Sequence, residues 1–315
     1  MHRWAVNNGK DKILTQVSPK FNNGWFVSQL KYNYKESAKV TKETRCYAYW
    51  VTYLNVEGQI LKTQCLRAEP TWMNEMKSFI GNLRMRDLFI PGTHDSGSYR
   101  PGFKPRWYES PITKYALTQD EDIRGQLYHG VRYLDIRPAY HKKSKTNFYV
   151  NHGITKQRPL MEVIEHVRDF VRDTNEIVIF GVKEFPVGFG KDLTIHRLLV
   201  NLLKEEFGEL IIDPSLSWSV KLNDIWNRKQ NIFLAYDKQE MIDEFPNVLI
   251  QSVQQRWGDV RNWKDLEKYL RGLAVYDKDR TSDRPVADMA EMTANVFGVV
   301  LDKWGGLRRM AMKSI

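Results

Sequence analysis

From about residue 84 to about residue 303 the chain alternates short apolar runs with segments whose apolar residues recur at helical spacing. Nothing else in the sequence constrains the fold as much. Pro159 opens a helix whose apolar residues Leu160, Val163, Ile164, Val167, Phe170 and Val171 form one stripe. Ile177–Val182 is a continuous apolar run, the pattern of a strand covered on both faces. Ile195, Leu198, Leu199, Leu202, Leu203 and Phe207 repeat the helical stripe, and Asn231–Ala235, Leu273–Tyr276 and Val296–Leu301 read as further strands. Strand–helix alternation over this length implies an α/β chain with a parallel sheet, and a barrel closes such a sheet without edges. Several connections are too short for a full helix, so the expected form is a distorted TIM (β/α) barrel. In such barrels the working residues lie at the carboxyl ends of strands, where His94, Asp135, Arg137, Glu184, Asp237, Asp277 and Asp302 are expected.

The front of the chain follows another rule. Gly24–Leu30, Cys46–Leu54 and Gln59–Leu66 are rich in aromatic and β-branched residues, with a turn at 55–58. They predict a small antiparallel β module, so the domains are residues 1–75, module and linker, and 76–315, the barrel. Cys46 and Cys65 are the only cysteines and fall in two strands of one hairpin. Two cysteines exclude a four-cysteine zinc site; a disulfide and two buried thiols both remain open.

The net charge of +10 favours an anionic partner. No zinc-finger spacing or aromatic RNA motif accompanies it, so the expected partner is an anionic membrane surface rather than nucleic acid. No run of 18 apolar residues occurs, and Met1–Trp4 lacks the apolar core of a secretory signal. A cytoplasmic, peripheral membrane protein is expected, with a secreted one as the alternative. The sequence does not encode an oligomeric state.

The chemistry concentrates in three places. Leu88-Phe89-Ile90 runs through Pro91-Gly92-Thr93 into His94-Asp95-Ser96; Tyr133-Leu134-Asp135-Ile136-Arg137 and Phe148-Tyr149-Val150-Asn151-His152-Gly153 repeat the plan. Two histidines titrating near neutral pH can divide the roles of base and acid, and a guanidinium matches phosphate geometry. These motifs, in this order and with Phe180-Gly181-Val182-Lys183-Glu184 further on, resemble the X domain of phosphatidylinositol-specific phospholipase C. The similarity is closest to the bacterial enzymes and the small animal X-domain proteins.

That resemblance implies a phosphoric diester hydrolase or lyase that cleaves phosphatidylinositol-type lipids to diacylglycerol and cyclic inositol phosphate. It implies His94 as general base, His152 as general acid and Arg137 on the phosphate. Asp95 would hold His152, and Asp135 would support the nucleophile and Arg137. Asp302 would be the acid that pairs with the base histidine, with Asp277 as the fallback. Lys183 would be a headgroup contact or a lysine snorkelling from a strand end. Trp304 and the loop Tyr99–Tyr108 would face either a membrane interface or the barrel top. No cofactor is expected, because Arg137 stands where calcium-dependent relatives carry a second carboxylate; Asp95, Asp135 and Glu184 could still form an oxygen-only Ca²⁺ site. The alternatives are a metal-dependent enzyme of the glycerophosphodiester phosphodiesterase kind, or a silent lipid-binding or scaffold protein. His2, His129, His141, His166 and His196 carry no motif.

Overall fold

The computed structural model describes residues 2–3, 15–18, 46–100, 111–276 and 283–312. The strand expected at Gly24–Leu30, Asp277 and residues 101–108 of the aromatic loop lie outside them.

The chain divides into two compact units, one of residues 1–71 with 128–130 and one of the remainder. In the first, β1 (His2–Arg3), β2 (Gln16–Val17), β3 (Cys46–Leu54) and β4 (Ile60–Arg67) form an antiparallel sheet in the order β2-β1-β3-β4. Asn55 closes the β3–β4 turn by accepting from Gln59 N at 2.8 Å, and Gly58 supplies the positive φ of 79°. Of the two states open for Cys46 and Cys65, the structure has the disulfide.

The second unit begins with α1 (Trp72–Glu75) and α2 (Lys77–Ile80), followed by β5 (Gly92–Thr93), α3 (Pro111–Ala116), α4 (Ile123–Tyr128) and β6 (Tyr133–Ile136). A three-stranded antiparallel sheet of β7 (Pro138–Tyr140), β8 (Phe148–His152) and β9 (Thr155–Pro159) comes next, then α5 (Leu160–Thr174) and β10 (Val178–Val182). Then come α6 (Thr194–Phe207), α7 (Leu222–Arg228), β11 (Ile232–Tyr236), α8 (Gln239–Glu244), β12 (Ile250–Gln251) and β13 (Gln254–Arg256). The described chain ends with α9 (Trp263–Tyr276), β14 (Val286–Asp288), α10 (Val296–Val300) and α11 (Leu307–Met312).

A parallel sheet in the order β12-β11-β10-β6-β5 forms the centre, with a separate parallel pair β13–β14. Every residue of β6, β10 and β11 is buried, as their continuous apolar runs require. The predicted stripe of α5 is buried from Leu160 to Val171. Gly181 lets the Tyr133 ring lie across β10; a Cβ there would stand 2.7 Å from it. Behind the sheet, the Arg132 guanidinium and the Glu176 carboxylate form a fully buried pair at 2.6 Å. Glu176 also accepts from the backbone N–H of Met73 and Asn74, fastening α1 to the base of the sheet.

Three expected strands are corrected. Leu88–Ile90 carries no ladder: Pro91 has no N–H to donate, pairing is confined to Gly92–Thr93, and Phe89 is 99% exposed. Leu273–Tyr276 is the last turn of α9, in which Leu266, Leu270 and Leu273 follow helical spacing. Val296–Leu301 is α10 with its C-cap, begun where the Asn295 side chain accepts from Gly298 N at 2.7 Å. A β-branched apolar run of five or six residues suits either element by composition, and the asparagine cap decides. Among the described residues no helix is long and apolar enough to cross a membrane.

Candidate active site

The turn after β5 is built to expose one imidazole and bury one carboxylate. Asp95 takes the left-handed conformation, φ 48°, while Ser96 N donates to Asp135 O at 2.8 Å and Thr118 Oγ1 to Asp95 O at 2.9 Å. Gly97 lets the turn lie directly on β8, since a Cβ would come within 2.6 Å of Val150. Gln119 Nε2 donates to His94 O at 2.7 Å. From β9 the buried Arg158 donates to the carbonyls of Gly97 and Tyr99 and pairs with Glu162, so the hairpin that carries His152 is clamped to the turn that carries His94.

Four sequence-predicted groups surround the fifth, Arg137. Its Nη2 lies 3.3 Å from Asp135 Oδ2, its Nε 3.8 Å from Asp95 Oδ1, and its Nη2 edge 3.3 Å from the His94 ring. His152 Nε2 is 3.6 Å from Asp95 Oδ2. Glu184, held at φ 47° after β10, caps Arg137 Nη1 at 2.7 Å. Arg137 therefore sits among the three carboxylates that an oxygen-only cation site would use. Both Asp95 oxygens, Asp135 Oδ1 and Arg137 Nε are buried and make no hydrogen bond among the described residues. Such a cluster of unsatisfied polar atoms, two steps from an imidazole that is partly exposed, is what a polar ligand would complete.

The electrostatics separate the two histidines. Burial opposes a charge on His94, but Asp135 at 3.1 Å from Nδ1 and Glu291 at 3.2 Å from Nε2 overcome it and raise its pKa. An acid against each ring nitrogen favours the protonated form of His94. Burial lowers His152, aided by Arg137 and His94. Its Nδ1 faces only the carbonyl of Ala116, at 3.1 Å, so Nδ1 carries the proton and Nε2 points at Asp95. Burial also opposes ionisation of Asp135, yet the hydrogen bond from His94 and the charge of Arg137 hold it below the usual carboxylate range. Asp95, with burial dominant, is pushed up to about 7.

Asp302 is not in this cluster. It follows a helix instead of a strand, and its carboxylate is engaged by Lys114 Nζ at 2.7 Å and Tyr115 Oη at 3.2 Å. The acid on the second ring nitrogen of His94 is Glu291, in the segment after β14, which the sequence reading missed. Its only signal is an acid between Met289-Ala290 and Met292, a short apolar stretch after a strand. Lys183 is mostly buried, hydrogen-bonds to Gln255 and lies 3.8 Å from Glu184. Trp304 is not in the cluster either: its backbone N–H donates to Tyr115 Oη at 3.3 Å, and the half-buried ring crosses the position where a Gly298 side chain would be. Asp237, at the end of β11, accepts from Ser252. Among the described residues no group of three or more His, Cys, Asp or Glu has a metal-holding arrangement.

No family model matches the chain. Curated proteins do. PI-PLC X domain-containing protein 1 of Danio rerio is 29% identical over 188 residues, 53% of this chain and 59% of that protein. The human protein of the same name is 25% identical over 240 residues, covering 70% and 72%, and the variant-surface-glycoprotein phospholipase C of Trypanosoma brucei brucei is 26% identical over 239 residues, covering 67% and 65%. The chain is similar to PI-PLC X domain-containing proteins and to a phospholipase C. The match thus spans little more than half the Danio rerio protein's length. Among solved structures, a phosphatidylinositol-specific phospholipase C of Staphylococcus aureus superposes with a TM-score of 0.55 at 16% identity, covering 72% of this chain and 78% of that one. The Listeria monocytogenes enzyme gives 0.51 at 19% identity, covering 78% and 84%. These similarities show that the chain shares the fold of the phosphatidylinositol-specific phospholipases C, and its central parallel sheet is consistent with the distorted α/β barrel expected from strand–helix alternation.

Proposed function

We propose that the chain is a phospholipase C-like phosphodiesterase that cleaves phosphatidylinositol-type lipids to diacylglycerol and a cyclic inositol phosphate. The observation that carries this reading is the placement of two histidines and two buried aspartates around one buried guanidinium. Arg137 receives a non-bridging phosphate oxygen through its unsatisfied Nε–H, which matches the developing charge. As the inositol 2-hydroxyl enters beside His94, Glu291 withdraws with the proton from Nε2, and the neutral ring then accepts the hydroxyl proton at Nε2 while the oxygen attacks phosphorus. His152 protonates the departing diacylglycerol oxygen, and Asp95 at 3.6 Å favours the imidazolium form it needs. Bound phosphate adds a second negative charge there and raises His152 further. The relatives' names and the shared fold support this reading. Arg137 supplies positive charge between Asp95, Asp135 and Glu184 itself, so the reaction runs without a divalent cation.

The resting charges favour a second assignment, with His152 as base and the His94 imidazolium as acid. A nitrophenyl inositol phosphodiester separates the two, because a good leaving group needs no proton. Both His94→Ala and His152→Ala should lose about 10²- to 10⁴-fold on phosphatidylinositol in EDTA. Rescue of only His152→Ala by the nitrophenyl ester confirms His152 as the acid; rescue of only His94→Ala exchanges the roles. Wild-type turnover that requires Ca²⁺ overturns the metal-free reaction, and no turnover in either buffer overturns the activity.

A further inference from the structure

Between Pro138 and Pro159 the chain has four lysines, one arginine and two histidines and not a single aspartate or glutamate. These residues are the antiparallel sheet β7-β8-β9, the one that carries His152. Arg158 turns inward to clamp the site. The four lysines, Lys142, Lys143, Lys145 and Lys156, are exposed, and among the described residues no carboxylate lies within 4 Å of any of them. Lys156 Nζ reaches back over the Tyr149 ring and donates to Ser144 Oγ, which binds the β7–β8 connection to the β8–β9 hairpin. At the tip of that hairpin, two residues beyond His152, Ile154 is 89% exposed after Gly153 with φ 53°.

We propose that this sheet is a docking surface for an anionic phospholipid bilayer, with the lysines on the headgroups and Ile154 entering the interface. The proposal rests on the lipid-cleaving reading of the site. Charge complementarity carries it: a sheet with four exposed lysines and no aspartate or glutamate in its own sequence meets a membrane of negative potential, where each basic side chain is worth about fivefold in binding. An apolar side chain standing out beside such a patch adds an anchor that salt does not screen. Docking on this sheet sets His152 at the lipid boundary, where the diacylglycerol oxygen leaves.

The test separates binding from turnover. The full chain is sedimented with vesicles of phosphatidylcholine, and of phosphatidylcholine containing phosphatidylserine, which has no inositol to cleave, at low and high salt. Binding should require phosphatidylserine and fall with salt. The triple variant Lys142→Gln, Lys143→Gln, Lys145→Gln should weaken it by at least about tenfold, and Ile154→Ser should weaken it to the same degree at both salt concentrations. Both variants should keep wild-type turnover of a monomeric short-chain phosphatidylinositol, which also shows that they are folded. Unchanged vesicle binding in the triple variant overturns the proposal, as does equal binding to both vesicle types or tighter binding to a DNA oligonucleotide than to the anionic vesicles. Vesicle binding that survives in a chain with no turnover removes the reaction and keeps the surface.

Discussion

At Asp95 burial and charge pull against each other. The carboxyl is fully buried, makes no hydrogen bond among the described residues, and is pushed up to about 7 by desolvation against the pull of Arg137. An acid raised on folding holds its proton more tightly in the folded state. Its stabilising contribution is therefore complete below about pH 4, the unfolded value, and is lost as pH rises through 7. Asp95→Asn removes that loss. Relative to wild type, its unfolding free energy should gain on the order of 2 to 4 kcal/mol between pH 4 and 8, read from urea midpoints; parallel pH profiles would show that the carboxylate is compensated. At His94 the sign is the same, because Asp135 and Glu291 outweigh burial and raise its pKa on folding. Glu291→Gln should lower the pKa of His94 and move the acid limb of kcat/KM to lower pH, with an NMR titration of the ring shifting the same way. A limb that stays put denies Glu291 a role in setting that pKa. His94, Asp95, Asp135, Arg137 and His152 could be read from the sequence because each ends or borders a short apolar run. Glu291 could not, since the segment after β14 has no periodicity that would aim an acid at a ring built some 200 residues earlier.

The elements divide along the same line. The α5 stripe and the fully apolar β10 were legible because burial on one face or on two imposes different periods. Leu273–Tyr276 and Val296–Leu301 were not, because short β-branched runs satisfy both periods and local capping decides between them. What fastens α1 to the sheet was equally invisible: Glu176 and Arg132 lie 44 positions apart and are both fully buried. Removing one partner leaves an uncompensated charge in a low dielectric. Glu176→Gln should cost about 3 to 5 kcal/mol in denaturant unfolding, and the double substitution Glu176→Gln, Arg132→Met should recover part of it. A single substitution costing under about 1 kcal/mol would place the pair in contact with water.

For the molecule as a whole, the disulfide and the site are separate matters. Cys46 and Cys65 lie in the front sheet, 19 positions apart, and every site residue lies in the other unit. Closing a loop of this size stabilises the folded state by about 3 kcal/mol in the chain-entropy model. Peptide mapping without reductant should recover the linked pair, and Cys46→Ser, Cys65→Ser should lower the stability of the front unit while leaving turnover intact; lost turnover would tie the sheet to the site. In the second unit the backbone ladder runs from β12 to β5, and among the described residues no ladder joins β5 to β14. The residues that follow those two strands, His94 and Glu291, nevertheless touch. The segment after β14 thus meets the turn after β5 through side chains where no backbone ladder runs. Under the proposed reaction a hydroxyl that takes the place of Glu291 loosens that contact as it binds, so occupancy of the site and the hold of this segment on β5 become one variable.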